Sequence, residues 1–213
     1  KRLIMNLYKF VSKISPEKTF IILSLFFGIL FCFITPPFQV PDEPSHFYRS
    51  YQISEFKMIG EKNNGYAGGD IPKSIVRMAK TLEGGIPFHK YIKFNPVFLK
   101  RAYEIKVDYE DTKFTEFENT VLYSPIMYTP QALGIKITKE MNSSPLIMFY
   151  AGRLLNLFTF IFLAYWAIKL APVFKWGFVL LSLMPMTLFE AASLSADAIC
   201  IGISFLFIAY VLN

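Results

Sequence analysis

Cysteine is nearly absent: two occur in 213 residues, Cys32 and Cys200, and both fall inside apolar runs. Small buried thiols in such runs are ordinarily inert. The long stretch 39–145 has none, so it must hold its shape without disulfides. Also lacking are a glycine-rich phosphate loop, a GxSxG nucleophile motif and a Cys/His cluster for zinc, which removes three common enzyme classes. Charge is sparse, with Asp, Glu, Lys and Arg making up 18% of the chain. The formal charge of +6 is not gathered on one face, which argues against nucleic acid as a partner. No internal repeat or low-complexity tract is visible.

What is present is apolar: 54% hydrophobic residues, 17% aromatic, with 23 Phe. That is too apolar for an ordinary soluble domain and reads as an all-α polytopic membrane protein whose partner is the lipid bilayer. Residues 1–18 form a basic segment, and an apolar run from Phe20 to Ile34 follows. The basic flank places the N-terminus in the cytoplasm. No small-residue cleavage pattern follows Ile34, so the run reads as an anchor, not a cleaved signal. Four spans are expected, over 19–38, 146–170, 173–190 and 197–213, the third kinked at Pro185. Lys169 and Lys175 mark a short cytoplasmic turn between the second and third. The abrupt end after the fourth span suggests the N-terminal part of a longer protein.

Residues 39–145 contain no spanning run and form one large, mainly helical extracytoplasmic loop domain. Helices are expected over 44–56, 72–82 (capped by Asp70) and 129–141, with a short strand over 104–109. Asn63-Asn64-Gly65 and Gly68-Gly69-Asp70 read as turns.

This topology puts most polar groups at one membrane surface. Asp42 and Glu43 follow the first span, Arg153 and Asn156 lie near the outer end of the second, and Glu190 and Asp197 flank the third turn. With Pro44 as the first helical residue, Glu43 is the cap and both carboxylates sit where a helix attracts negative charge. They are candidates for a catalytic base or for ligands to a divalent metal, Mg or Mn, and equally for an ordinary cap at a membrane exit. His46 and Arg49 share a helical face and suit a phosphate or a proton relay, or simply a headgroup-facing helix. Arg153 is expensive within a span and needs a partner, either a ligand phosphate or an acid such as Glu190 or Asp197. Asn156 shares its face. Asp197 is also a plausible helix cap, and Tyr123-Ser124-Pro125 and Tyr128-Thr129-Pro130 read as packing turns.

The stretch Pro36–Arg49, Tyr123-Ser124-Pro125 with Pro130–Gly134, Gly152-Arg153-Leu154-Leu155-Asn156, and Pro185-Met186-Thr187 with Ser193–Ala198 resemble a family of bacterial polytopic membrane proteins, domain of unknown function 2142. That family is itself similar to the GT-C glycosyltransferases. The resemblance implies transfer of a sugar from a polyprenyl-phosphate donor to a glycan acceptor in cell-surface polysaccharide assembly. It implies Asp42 or Glu43 as base or metal ligand and Arg153 as a phosphate contact, with His46, Arg49, Asn156, Glu190 and Asp197 around the substrate. The alternative is a non-catalytic export or assembly component that binds lipid-linked glycan.

Overall fold

Ser15 and Pro16 start the first long helix: the Ser15 hydroxyl accepts from the Lys18 amide and Pro16, having no N–H, fits the first turn. A computed structural model describes residues 15–84, 86 and 91–213, so most of the basic segment 1–18 lies outside the described residues. Helix α1 (Pro16–Ile34) stops before Pro36-Pro37, because a residue preceding proline is pushed out of the helical region. The expected span of 19–38 is thereby corrected to a helix that begins earlier and ends at Ile34. Its buried positions, Phe20, Ser24, Gly28 and Cys32, recur every four residues and form one narrow stripe. Ile22, Phe26, Ile29, Phe33 and Ile34 on the other faces are exposed, as a lipid-facing surface requires.

Helix α2 (Glu43–Ser54) then leads into a three-stranded antiparallel sheet of β1 (Glu61–Asn63), β2 (Tyr66–Pro72) and β3 (Thr112–Glu116), with β2 central. The sheet corrects the all-α expectation. Asn64 and Gly65 both take positive φ and close the β1–β2 hairpin, as their sequence signals. Gly68 and Gly69, however, lie within β2 and not in a turn. A Cβ at Gly68 would lie 2.0 Å from the Thr115 carbonyl oxygen, so here glycine permits close strand approach. The strand expected over 104–109 is absent, and β3 pairs instead from Thr112, Gly68 facing Glu116 and Pro72 facing Thr112.

Helix α3 (Lys73–Glu83) packs against β2 and β3, and α4 (Val97–Tyr103) packs against α3. Asp70 is a strand residue and does not cap α3, which is preceded by Pro72. A short α5 (Glu118–Val121) and a 3-10 turn, Pro125–Tyr128, lead to α6 (Thr129–Glu140). α6 folds back along the start of α7 (Pro145–Leu170), the longest and most central helix. A short loop joins this antiparallel pair, and Gly134 lets the backbones touch: a Cβ there would lie 2.6 Å from the Ala151 carbonyl oxygen.

The expected third span is broken into α8 (Lys175–Ser182) and α9 (Pro185–Ala191), since Pro185 donates no backbone hydrogen bond. α10 (Asp197–Leu212) packs along α7. α1 and α7 are long and apolar enough to cross a membrane, and α10, at 16 residues, is shorter. At one end of these helices the Lys175 ammonium meets Glu17 at 2.7 Å and the Lys169 carbonyl at 3.2 Å, while Lys169 lies 4.6 Å over the Trp166 ring. Asp42, Glu43, Glu190 and Asp197 lie toward the opposite end, where α1 stops and α10 starts.

Gly134→Leu is expected to force α6 off α7 and to lower stability by roughly 1–3 kcal/mol, the usual cost of overpacking. Thermal unfolding in detergent micelles checks this.

Candidate functional site at the acidic end of the bundle

When α1 stops at Ile34 its last carbonyls have no helical partner. The Arg153 guanidinium supplies donors: Nη1 reaches the Cys32 and Thr35 carbonyls at 2.9 and 2.8 Å, and Nη2 the Pro36 carbonyl at 3.3 Å. A cation at a helix C-terminus also meets the negative end of the helix dipole. The other edge of the same guanidinium grips Glu43, Nε to Oε1 at 2.8 Å and Nη2 to Oε2 at 2.6 Å. Glu43 is the first residue of α2, where a negative group is favoured for the mirror reason. Both side chains are 0% exposed.

The two Glu43 oxygens accept further bonds, from the Phe38 amide at 2.9 Å and the Leu194 amide at 3.3 Å. One ion pair therefore joins the end of α1, the start of α2, the N-terminal half of α7 and the turn before α10. Phe149, one turn earlier on α7, lies 4.5 Å beneath the guanidinium and packs on Phe38 and Phe47. Asn156 completes the lock by donating to the Ser193 and Ser195 carbonyls at 2.9 and 3.0 Å, and Gln131 on α6 donates to the Ser195 carbonyl at 3.0 Å.

Three sequence expectations are corrected by this geometry. Arg153 directs its donors into the protein, so its partner is Glu43, neither Glu190, Asp197 nor a ligand phosphate. Glu43 has both oxygens occupied, which removes it as an accessible base or metal ligand. Asn156, fully buried and donating to backbone carbonyls, is a positioning residue and not a substrate contact. The carboxylate–guanidinium pairing escaped the sequence reading because 110 residues separate the partners. The signal was there in the Pro36-Pro37 stop, which creates carbonyls in need of a cation.

What remains open to a ligand is a rim. Asp42, and not Glu43, occupies the cap position of α2; it is left-handed at φ 57°, makes no capping bond with its side chain, and is exposed. Asp197 is exposed too, its amide held by the Ser195 hydroxyl at 3.0 Å; it is the first residue of α10 and not its cap. Glu190 is half-buried within electrostatic reach of Asp197 and Glu43. His46, one turn into α2, is half-buried with Nδ1 2.9 Å from the Tyr128 hydroxyl. Burial pulls its pKa below the ordinary value, and the opposing charges of Asp197, Asp42 and Glu43 do not restore it. Tyr128, read from sequence as packing, is thus a polar partner as well, and burial raises its own pKa. Arg49 is not part of this rim; it turns toward the sheet, bonding the Gln52 side chain and the Met58 and Tyr123 carbonyls. Of the two carboxylates expected to hold Mg or Mn, Glu43 is bound to Arg153, which leaves Asp42 alone at the rim; among the described residues no three His, Cys, Asp or Glu side chains converge.

Apolar helices with exposed hydrophobic faces, joined by a fully buried ion pair, define a helical membrane protein. Residues 25–213 match the family described as predicted membrane protein, domain of unknown function 2142, and the chain belongs to that family. No curated protein matches the chain, and no solved structure does.

His46 supplies a pH dependence. Its folded pKa lies below the unfolded value of about 6.5, so the unfolded state binds the proton first on acidification. The His46 contribution is fully present above pH 6.5 and is lost as pH falls from there toward the folded pKa. The melting temperature should decline over that window, and His46→Gln should flatten the decline.

Proposed function

We propose that this protein is a membrane glycosyltransferase of GT-C type, using a polyprenyl-phosphate-linked sugar as donor and a surface glycan as acceptor. The observation that carries the reading is Asp42: an exposed carboxylate in a left-handed backbone conformation, held in place by prolines at 41 and 44 and by the buried pair beside it. Strained non-glycine residues pinned by their surroundings are characteristic of functional sites. In this reading Asp42 takes the proton from an acceptor hydroxyl as that oxygen bonds to the anomeric carbon, and the polyprenyl phosphate departs with the electrons of the broken bond. His46, Glu190 and Asp197 accept hydrogen bonds from sugar hydroxyls along the same rim. Four spans carry the site, α8 and α9 together forming the third, and the 39–145 domain lies outside the cytoplasmic membrane with the Lys169 and Lys175 end inside.

One observation favours a second reading, a non-catalytic assembly component that binds lipid-linked glycan. Glu43, one of the two carboxylates expected to act as base, is buried and bonded to Arg153, so a single exposed carboxylate is left there for a chemical step. Surface glycan made by cells carrying Asp42→Asn distinguishes the two. The transferase reading expects glycan of altered composition with the variant folded and membrane-inserted at normal levels. Unaltered glycan from such a variant contradicts catalysis and leaves the binding role.

A further inference from the structure

Arg49 differs from Arg153 in one respect: it has no carboxylate. Its side chain is 1% exposed, yet its bonds go to neutral acceptors, the Gln52 amide oxygen, the Met58 carbonyl at 2.9 Å and the Tyr123 carbonyl at 3.3 Å. Its Nε is buried with no partner, and among the described residues it forms no ion pair. A buried cation without an anion is costly and draws negative charge toward itself. Burial correspondingly lowers its pKa.

Arg49 lines a groove of about 400 Å³ between the β1–β2 hairpin and the 121–125 segment. The exposed Lys62 also lines the groove, as do Ser124 and Gly60. Glu61, the groove's acid, is taken by Lys57 at 3.3 Å. Arg49 and Lys62 against that one acid leave the groove's lining positive, and Asp42, His46, Glu190 and Asp197 are not among the residues that line it.

We propose that this groove binds an oxyanion, a phosphate or the carboxylate of an acidic sugar, with Arg49 as the buried charge and Lys62 as the exposed one. The site stands independently of the transferase reading. Its test is thermal unfolding of the protein in detergent micelles with sodium phosphate, sodium glucuronate or glucose, at ionic strength matched with sodium chloride. At least one anion should raise the melting temperature where glucose and chloride do not, and the stronger of the two identifies the source of the oxyanion. Because Arg49 variants risk misfolding, Lys62→Gln is the informative change. It should weaken apparent affinity roughly two- to fivefold, as loss of an exposed charge partner does, while Asp42→Asn leaves the affinity unchanged. The proposal is overturned if neither anion differs from the controls, if Lys62→Gln binds as tightly as the unaltered protein, or if Asp42→Asn abolishes binding.

Discussion

The structure depends on a charge pair placed where charge is most expensive. Taking Glu43 and Arg153 out of water carries a desolvation cost that their mutual attraction offsets only with good geometry and with the remaining donors and acceptors satisfied. Both conditions hold. The guanidinium grips the carboxylate by two nitrogens, and its other donors reach the carbonyls that α1 leaves open. The carboxylate in turn receives the Phe38 and Leu194 amides. The pair thereby ties the end of α1, the start of α2, α7 and the turn before α10 to one another at a single point, and it holds Asp42 at the surface next to a carboxylate that is itself unavailable.

A division of labour follows among residues that look equivalent in sequence. Asp42 and Glu43 are neighbours, but the left-handed turn at Asp42 sends one side chain to the surface and the other into the core. Arg49 and Arg153 are both buried arginines in a mostly apolar chain. One is neutralised by an acid and serves architecture; the other has only neutral acceptors and faces a groove. Exposure and partnering, more than residue type, separate the candidate chemistry from the frame that holds it.

Much of the helical frame was legible in the sequence, because apolar runs and prolines act locally. Pro44 opens one helix and Pro185 breaks another, and α2, α6 and α7 fall within two residues of their expected ranges, whereas α1 starts at Pro16 and stops before Pro36-Pro37, through which the expected span of 19–38 ran. The sheet was not legible, since Gly68-Gly69 is indistinguishable from a turn until Thr115 is brought against it. The gathering of Asp42, Glu43, Arg153, Asn156, Glu190 and Asp197 at one end followed from topology alone. Their pairing did not, because which acid an arginine meets is decided by where the chain breaks its helices and not by spacing along it. Membership in the predicted membrane protein family agrees with the apolar frame.

The central claim is that Glu43 and Arg153 act as one structural unit, and a double-mutant cycle on thermal unfolding in detergent micelles tests it most directly. Glu43→Gln or Arg153→Met alone leaves a buried charge without its partner and should cost roughly 3–5 kcal/mol. The double variant should lose clearly less than the sum of the two single changes. Additive losses, or single variants as stable as the unaltered protein, would contradict the account.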